Sequence, residues 1–460
     1  MSNSQPVSSA NQPIAGHLEY RPDIDGLRAF AVLAVLIFHA FPEALPGGFV
    51  GVDLFFVISG YLISSIIFLQ LRTGSFTIAK FYERRIRRIF PSLAVVLLVC
   101  LIAGFYLLLA DEYQQLAAHT AAGAGFVANL LSWSEASYFD KAADTKPLLH
   151  LWSLGIEEQF YILWPLLVAW FLKPNLQKYF KWLFIVLIVA SFVVNLWSLV
   201  HAPVALYYSP LSRFWELLAG AGLAYASSQQ AGSFQIHSIK ISHYLSFAAF
   251  IAYVLALCFI NQTTAFPGWW ALLPVMAAVG WIAAGPKAWF NRYVLANKAV
   301  VAVGLISYPL YLWHWPLLAF LRLIEGQAVG VGPRLVALVL AFILAYLSSR
   351  LIEKPLRYGQ YGLLKTFGLA GFVAVLGMVG FWIVGQQGLP NRPHIQNYQN
   401  PEAALNRTQE QDLVCQDYVA KMGENIYYCR LNSVKSTKTV AVIGDSHAHV
   451  AYPGIAELSA

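Results

Sequence analysis

Long apolar stretches set the rhythm of this chain, and its polar residues come in short clusters between and within them. Apolar runs recur about eleven times, near 26–41, 49–70, 91–110, 152–172, 180–200, 209–226, 244–261, 268–285, 304–323, 334–350 and 366–386. About 20 apolar residues at a rise of 1.5 Å cross the hydrocarbon core of a bilayer, so the pattern predicts an all-α polytopic membrane protein with about 11 transmembrane helices. The first run, LRAFAVLAVLIFHAF, carries Arg28 near one end and His39 near the other. Eleven helical steps return to within about 20° of the starting direction over a rise of roughly 16 Å, so both polar groups point to one side.

The pattern changes at about residue 387. Residues 387–437 are polar and rich in Pro and Asn, which reads as an extended linker. The β-branched run Val440 to Ile443 then looks like a buried strand that delivers Gly444, Asp445 and Ser446 at its C-terminal end, where α/β folds place their chemistry. One strand closes no sheet, so 438–460 is expected to be the start of an incomplete, truncated α/β domain.

Composition removes the soluble classes: 58% of residues are hydrophobic and 12% charged, with a mean hydropathy of +0.58. Residues 1–20 form a polar tail without the features of a removable signal peptide, leaving the first helix as the targeting signal. With that tail in the cytoplasm, Arg84, Arg85, Arg87, Arg88, Lys240, Arg292, Lys298 and Arg357 all fall on the cytoplasmic side, as the positive-inside rule requires, and residues 387–460 fall outside. The pI near 9.1 therefore calls for no nucleic acid. Cys100 and Cys258 sit in apolar runs, whereas Cys415 and Cys429 share the external tail, as a disulfide or as two free thiols.

A charged residue deep in a membrane costs at least about 2.5 kcal/mol, so each one needs a partner or a water-filled cavity and marks function by default. Arg28 has Asp25 at i−3 as a structural partner. Asp53, Ser59 and Tyr61 enter on the second run, and Ser153 and Glu157 share a face of the fourth. The segment FYERRIRRIFP crowds Arg84, Arg85, Arg87 and Arg88 at the membrane boundary, as a topological anchor or as guanidinium forks for a phosphorylated ligand. SYPLYLWHWP adds Tyr308, Tyr311 and His314, the last as a core residue or a functional one.

Taken together, Arg28-x10-His39, GVDLFFVISGYL, ERRIRRIFP, SLGIEEQFY, SYPLYLWHWP and LIEKPLR resemble the membrane acyltransferase-3 family, in the branch that carries a C-terminal SGNH domain. The resemblance implies a membrane domain over 21–360, an additional helix over 361–386 and a periplasmic linker before the SGNH start. It also implies an enzyme of the bacterial inner membrane that moves an acetyl group from cytoplasmic acetyl-CoA to a surface polysaccharide such as lipopolysaccharide O-antigen, without a metal. Under it, Arg28, Arg84, Arg85 and Arg88 bind CoA phosphates. His39 is general base or transient acyl acceptor, supported by Glu157 or Asp53, and Ser446 in VIGDSH is the second nucleophile. The rival reading is a transporter of a lipid-linked sugar or an anion, which the same polar helices and basic face also suit; the halves show no convincing inverted repeat.

Overall fold

The computed structural model describes residues 19–393, apart from 137–142, 174, 230–237, 327–328 and 359–361. The strand before Ser446, Ser446 itself, Cys415 and Cys429 lie outside the described residues. One compact unit runs from Met1 to Gly388 and a second begins at Leu389. All the helices named below belong to the first. In chain order they are α1 (Pro22–Ala40), α2 (Gly51–Arg72), α3 (Ile78–Leu107), α4 (Ala110–Ala124), α5 (Ala128–Glu135), α6 (Leu151–Phe171), α7 (Gln177–His201) and α8 (Pro203–Tyr208). They continue with α9 (Pro210–Gln229), α10 (Ile239–Phe259), α11 (Leu272–Ala284), α12 (Lys298–Leu305), α13 (Ser307–Glu325), α14 (Val331–Leu347), α15 (Lys354–Arg357) and α16 (Gly362–Gly385).

Every apolar run falls on a helix or a pair of helices, and the protein is an α-helical multi-pass membrane protein. The expected eleven spans, however, are not eleven uniform ones. Among the described residues, six helical segments are long and apolar enough to cross a membrane alone, or seven when α12 and α13, bent by 65° where they meet, count as one broken span. The others fall short for physical reasons. Helix α1 carries Asp23, Asp25 and Arg28, α6 carries Glu157 and Glu158, α9 carries Arg213 and Glu216, and α11 has only 13 residues.

Burial sorts these helices into a centre and a sleeve. The apolar windows of α2 and α3 are 61% and 56% buried, against 17% to 28% for α7, α10, α16 and the segment that contains α14 and α15. Lipid solvates apolar side chains as well as protein does, so the sleeve helices can leave much of their surface outward. Helices α1, α2, α6, α9 and α13 pack inside it, and their polar residues meet one another there.

Helix α1 is pinned at both ends. At its start, Arg21 donates twice to the Asp23 carboxylate, from Nε at 2.8 Å and from Nη2 at 2.7 Å. Asn291 Nδ2 donates to the same carboxylate at 2.9 Å, and Ser246 Oγ donates to Asn291 Oδ1 at 2.7 Å. Asn291 opens a short π-helical turn, Asn291–Leu295, a form that often marks functional regions. At the other end Arg322 donates to the His39 carbonyl at 2.6 Å and Arg334 to the Ala40 carbonyl at 3.1 Å. Cations here satisfy carbonyls left open by the helix end and oppose its negative pole. Helix α13 is fixed likewise: Trp313 Nε1 donates to Ser348 Oγ at 2.9 Å and Trp315 Nε1 to the Lys146 carbonyl at 2.8 Å.

The α2–α9 crossing depends on the absence of side chains. A Cβ added to Gly60 would lie 1.9 Å from the Leu217 carbonyl oxygen, and one added to Gly220 would lie 2.0 Å from that of Val57. Both obstacles are backbone, so neither can swing aside. Gly60→Ala is expected to separate the helices and cost roughly 1–3 kcal/mol, lowering the melting temperature in detergent. Gly371→Ala, which meets nothing within 4 Å, leaves it unchanged. Equal melting of the two variants sinks this account.

Outside the apolar spans, Glu135 at the end of α5 accepts from Lys146 Nζ at 2.8 Å and lies 3.0 Å from His119 Nε2. Burial pushes its carboxyl up, but the hydrogen bonds and charges of these two partners outweigh that and hold it at about 2. A depressed carboxylate contributes stability above its unfolded value, near 4.5, and loses it as pH falls through the folded one. Glu135→Gln should therefore melt below the parent at pH 7. The gap should narrow progressively as pH drops below about 4.5; a gap independent of pH from 7 to 3 contradicts the assignment.

Candidate active site

Five helices surround a cavity of about 830 Å³, a volume that includes its open mouth. Helix α1 contributes Arg28, α2 contributes Phe55 and Ser59, α3 contributes Arg85 and Arg88, α6 contributes Ser153, Glu157, Glu158 and Tyr161, and α13 contributes Ser307, Tyr308 and Tyr311. Three guanidinium groups and two carboxyls thus face one space with aromatic walls. Sockets of this size, mostly apolar with a few convergent polar groups, suit a small-molecule ligand.

Two of the four clustered arginines enter, Arg85 and Arg88. Around α3, Arg88 lies about 40° from Arg84 and about 60° from Arg85, so spacing alone does not choose between the latter two. Arg84 leaves the cavity and donates to Gln70 Oε1 at 2.9 Å on the exposed side. Arg87 also turns away, donating to the Leu356 carbonyl at 3.2 Å and pairing with Glu83 at 3.4 Å. Arg28 keeps Asp25 at 3.3 Å while lining the cavity. Arg85 lies over the rings of Phe81 and Tyr161, with its Nε buried and without a protein partner.

Glu157 accepts from Ser59 Oγ at 2.5 Å and from the Tyr161 hydroxyl. Its neighbour Glu158, overlooked in the sequence, also lines the cavity, with Oε1 buried and unpaired. Asp53 belongs elsewhere. It is 1% exposed and accepts from Arg213 Nη2 at 2.9 Å, while Arg213 Nε lies 3.0 Å from Glu216. This closed ion cluster joins α2 to α9 beneath the rings of Phe56 and Phe266.

His39 does not line the cavity; the wall residue Tyr311 connects them. The Tyr311 hydroxyl bonds Ser153 Oγ at 2.7 Å and the His150 carbonyl at 2.9 Å. Its own carbonyl lies 2.7 Å from His314 Nδ1, and His314 Nε2 lies 2.9 Å from His39 Nδ1. Trp315 meets the His39 ring edge-on at 4.5 Å between centroids, and the His150 ring lies 6.0 Å from that of His314. The described side-chain hydrogen bond of His39 therefore goes to an imidazole, and those of Glu157 and Asp53 go to other groups. His150 and the His39–His314 pairing were not foreseen, because the rings come from helices about 275 residues apart in sequence. Among the described residues, no group of three or more His, Cys, Asp or Glu side chains is placed to hold a metal ion.

Residues 21–354 match the acyltransferase domain of the acyltransferase-3 family. The chain is similar to the O-acetyltransferase OatA of Staphylococcus aureus, 33% identical over 352 residues that cover 74% of this chain and 57% of the relative. It is also similar to the peptidoglycan O-acetyltransferase OatA of Listeria monocytogenes, 30% identical over 351 residues that cover 74% of this chain and 56% of the relative. The chain thus spans somewhat over half the length of these relatives. No solved structure matches it. With a match that takes in every helix around the cavity, the chain belongs to the acyltransferase-3 family.

Proposed function

We propose that the protein is a membrane O-acetyltransferase that takes an acetyl group from cytoplasmic acetyl-CoA and passes it to a polysaccharide hydroxyl on the outer side of a bacterial cell membrane. The observation that carries this reading is the cavity itself, which gathers Arg28, Arg85 and Arg88 in one space and reaches the His39–His314 pair through Tyr311. Guanidinium forks at a membrane boundary suit CoA phosphates. The aromatic and aliphatic walls suit a long, thin pantetheine arm.

The chemistry asked of His39 is proton transfer. An acceptor O–H gives its proton to the imidazole as its oxygen bonds the acetyl carbon; the C–S bond breaks, and the same proton passes to the departing thiolate. In the alternative route the His39 nitrogen bonds the acetyl carbon as the C–S bond breaks and the thiolate leaves; the acceptor oxygen then bonds that carbon as the N–C bond breaks, and the hydroxyl proton ends on the thiolate. The lopsided placement of Lys and Arg supports a cytoplasmic N-terminus. Ser446, in a segment resembling an SGNH block, is the second carrier under this proposal and would collect the group outside. The Listeria relative's name supports peptidoglycan as the acceptor class, and O-antigen, suggested by the sequence motifs, is the competing acceptor. Mass spectrometry of peptidoglycan and of lipopolysaccharide from cells with and without the gene separates the two. Unchanged acetylation of every envelope glycan refutes the acetyltransferase reading and returns the transporter to consideration.

Two substitutions divide the roles. His39→Ala is expected to abolish transfer while the protein still binds acetyl-CoA, seen as ligand-dependent thermal stabilisation, whereas Arg28→Ala weakens that binding. A His39→Ala protein of normal abundance that still acetylates overturns the assignment. Replacing Arg85 and Arg88 together by Lys keeps the charge but removes the planar forks. The phosphate role predicts a raised KM for acetyl-CoA, and a purely topological anchor predicts no change.

A further inference from the structure

His314 is 0% exposed, and each of its ring nitrogens has one described partner. The partner of Nδ1 is the Tyr311 backbone carbonyl at 2.7 Å. A carbonyl only accepts, so Nδ1 carries a hydrogen. The groups around the imidazole pair include His150, Arg322, Tyr311, Trp315 and Phe38, and among the described residues no carboxylate is in hydrogen-bond contact with either ring, the carboxylate of Asp144 lying on Arg322 instead. A second proton on His314 would be an uncompensated buried charge, so Nε2 is left as a lone pair. That lone pair faces His39 Nδ1 at 2.9 Å, and the two rings lie within 9° of parallel.

We infer that His314 is a positioning residue that fixes His39 in the Nδ1–H tautomer, so that the basic lone pair of His39 sits on Nε2. The order of donors is forced from its far end: Tyr311 accepts from His314, and His314 accepts from His39. Among the described residues nothing bonds His39 Nε2, which leaves it available to a reactant. When His39 takes a proton there, its Nδ1–H···Nε2 bond to His314 becomes charge-assisted and strengthens. His314 thus fills, as a neutral imidazole, the orienting place that a carboxylate holds behind the histidine of a hydrolase triad. The α13 anchors Trp313–Ser348 and Trp315–Lys146 hold the ring at that distance.

The kinetic consequence rests on the acetyltransferase reading; the tautomer does not. Nitrogen-15 NMR of protein labelled at histidine, with the His39 signal assigned from its loss in His39→Asn, reads the protonated nitrogen directly in the unmodified sequence. The expected result is a proton on Nδ1 and none on Nε2 at neutral pH; the opposite tautomer overturns the inference whatever the enzyme does. In transfer assays, His314→Leu keeps bulk but loses the acceptor, and kcat should fall about 100-fold or more with little change in KM for acetyl-CoA. His314→Gln, which can present an amide oxygen to His39, should recover at least ten-fold of that loss. A merely structural role predicts no such split and no rescue, so equal activity of the Leu and Gln variants at equal abundance overturns the positioning role. Should the parent protein bind acetyl-CoA yet transfer nothing, the acetyltransferase reading fails while the NMR result still decides the tautomer.

Discussion

A charge inside a bilayer must find a partner, and that constraint organises the whole molecule. Each polar residue on an otherwise apolar helix dictates which neighbour the helix takes. Asp23 on α1 calls for Arg21 and Asn291, Asp53 on α2 calls for Arg213 on α9, and the last carbonyls of α1 call for Arg322 and Arg334. Apolar contact alone is weakly selective in lipid, which solvates a leucine as well as another leucine does. The polar contacts therefore fix register, and close-packed glycines such as Gly60 and Gly220 let the helices approach closely enough to make them.

The intramembrane polar residues then divide into two kinds. Those of the Asp53–Arg213–Glu216 cluster and the Asp23 network are shut away and join helices. Arg28, Arg85, Arg88, Glu157 and Glu158 open on the cavity, where a charge can be met by a visitor rather than by the protein. Charge content does not tell the kinds apart, since Asp53 and Glu157 are carboxylates of neighbouring helices. What separates them is whether a cation from a third helix reaches them first.

Much of this was legible in the sequence wherever the information was local. The apolar runs marked the helices, because membrane length writes itself directly into composition. The eleven-residue spacing placed Arg28 and His39 on one side of α1, and the arginine cluster marked Arg85 and Arg88, although it gave no means of setting Arg84 apart from them. Pairings across distant helices were beyond reach: nothing near Asp53 announces Arg213, and nothing near His39 announces His314. The short helices α4 and α5 were also missed, being too polar for a hydropathy signal. The same polarity touches α1, α6 and α9, whose charged residues keep them outside the six or seven helices that are apolar enough, among the described residues, to cross a membrane by themselves.

Helix α16 has a different bearing. It packs on α3 and α4, with Gly380 pressed against the Ala117 backbone; none of its residues lines the cavity, and the family match ends before it. It behaves as a coupling on the outside of a finished machine. Substitutions along its outward surface can accumulate without touching any group that lines the cavity, so this helix is free to change at a pace that the cavity walls cannot follow.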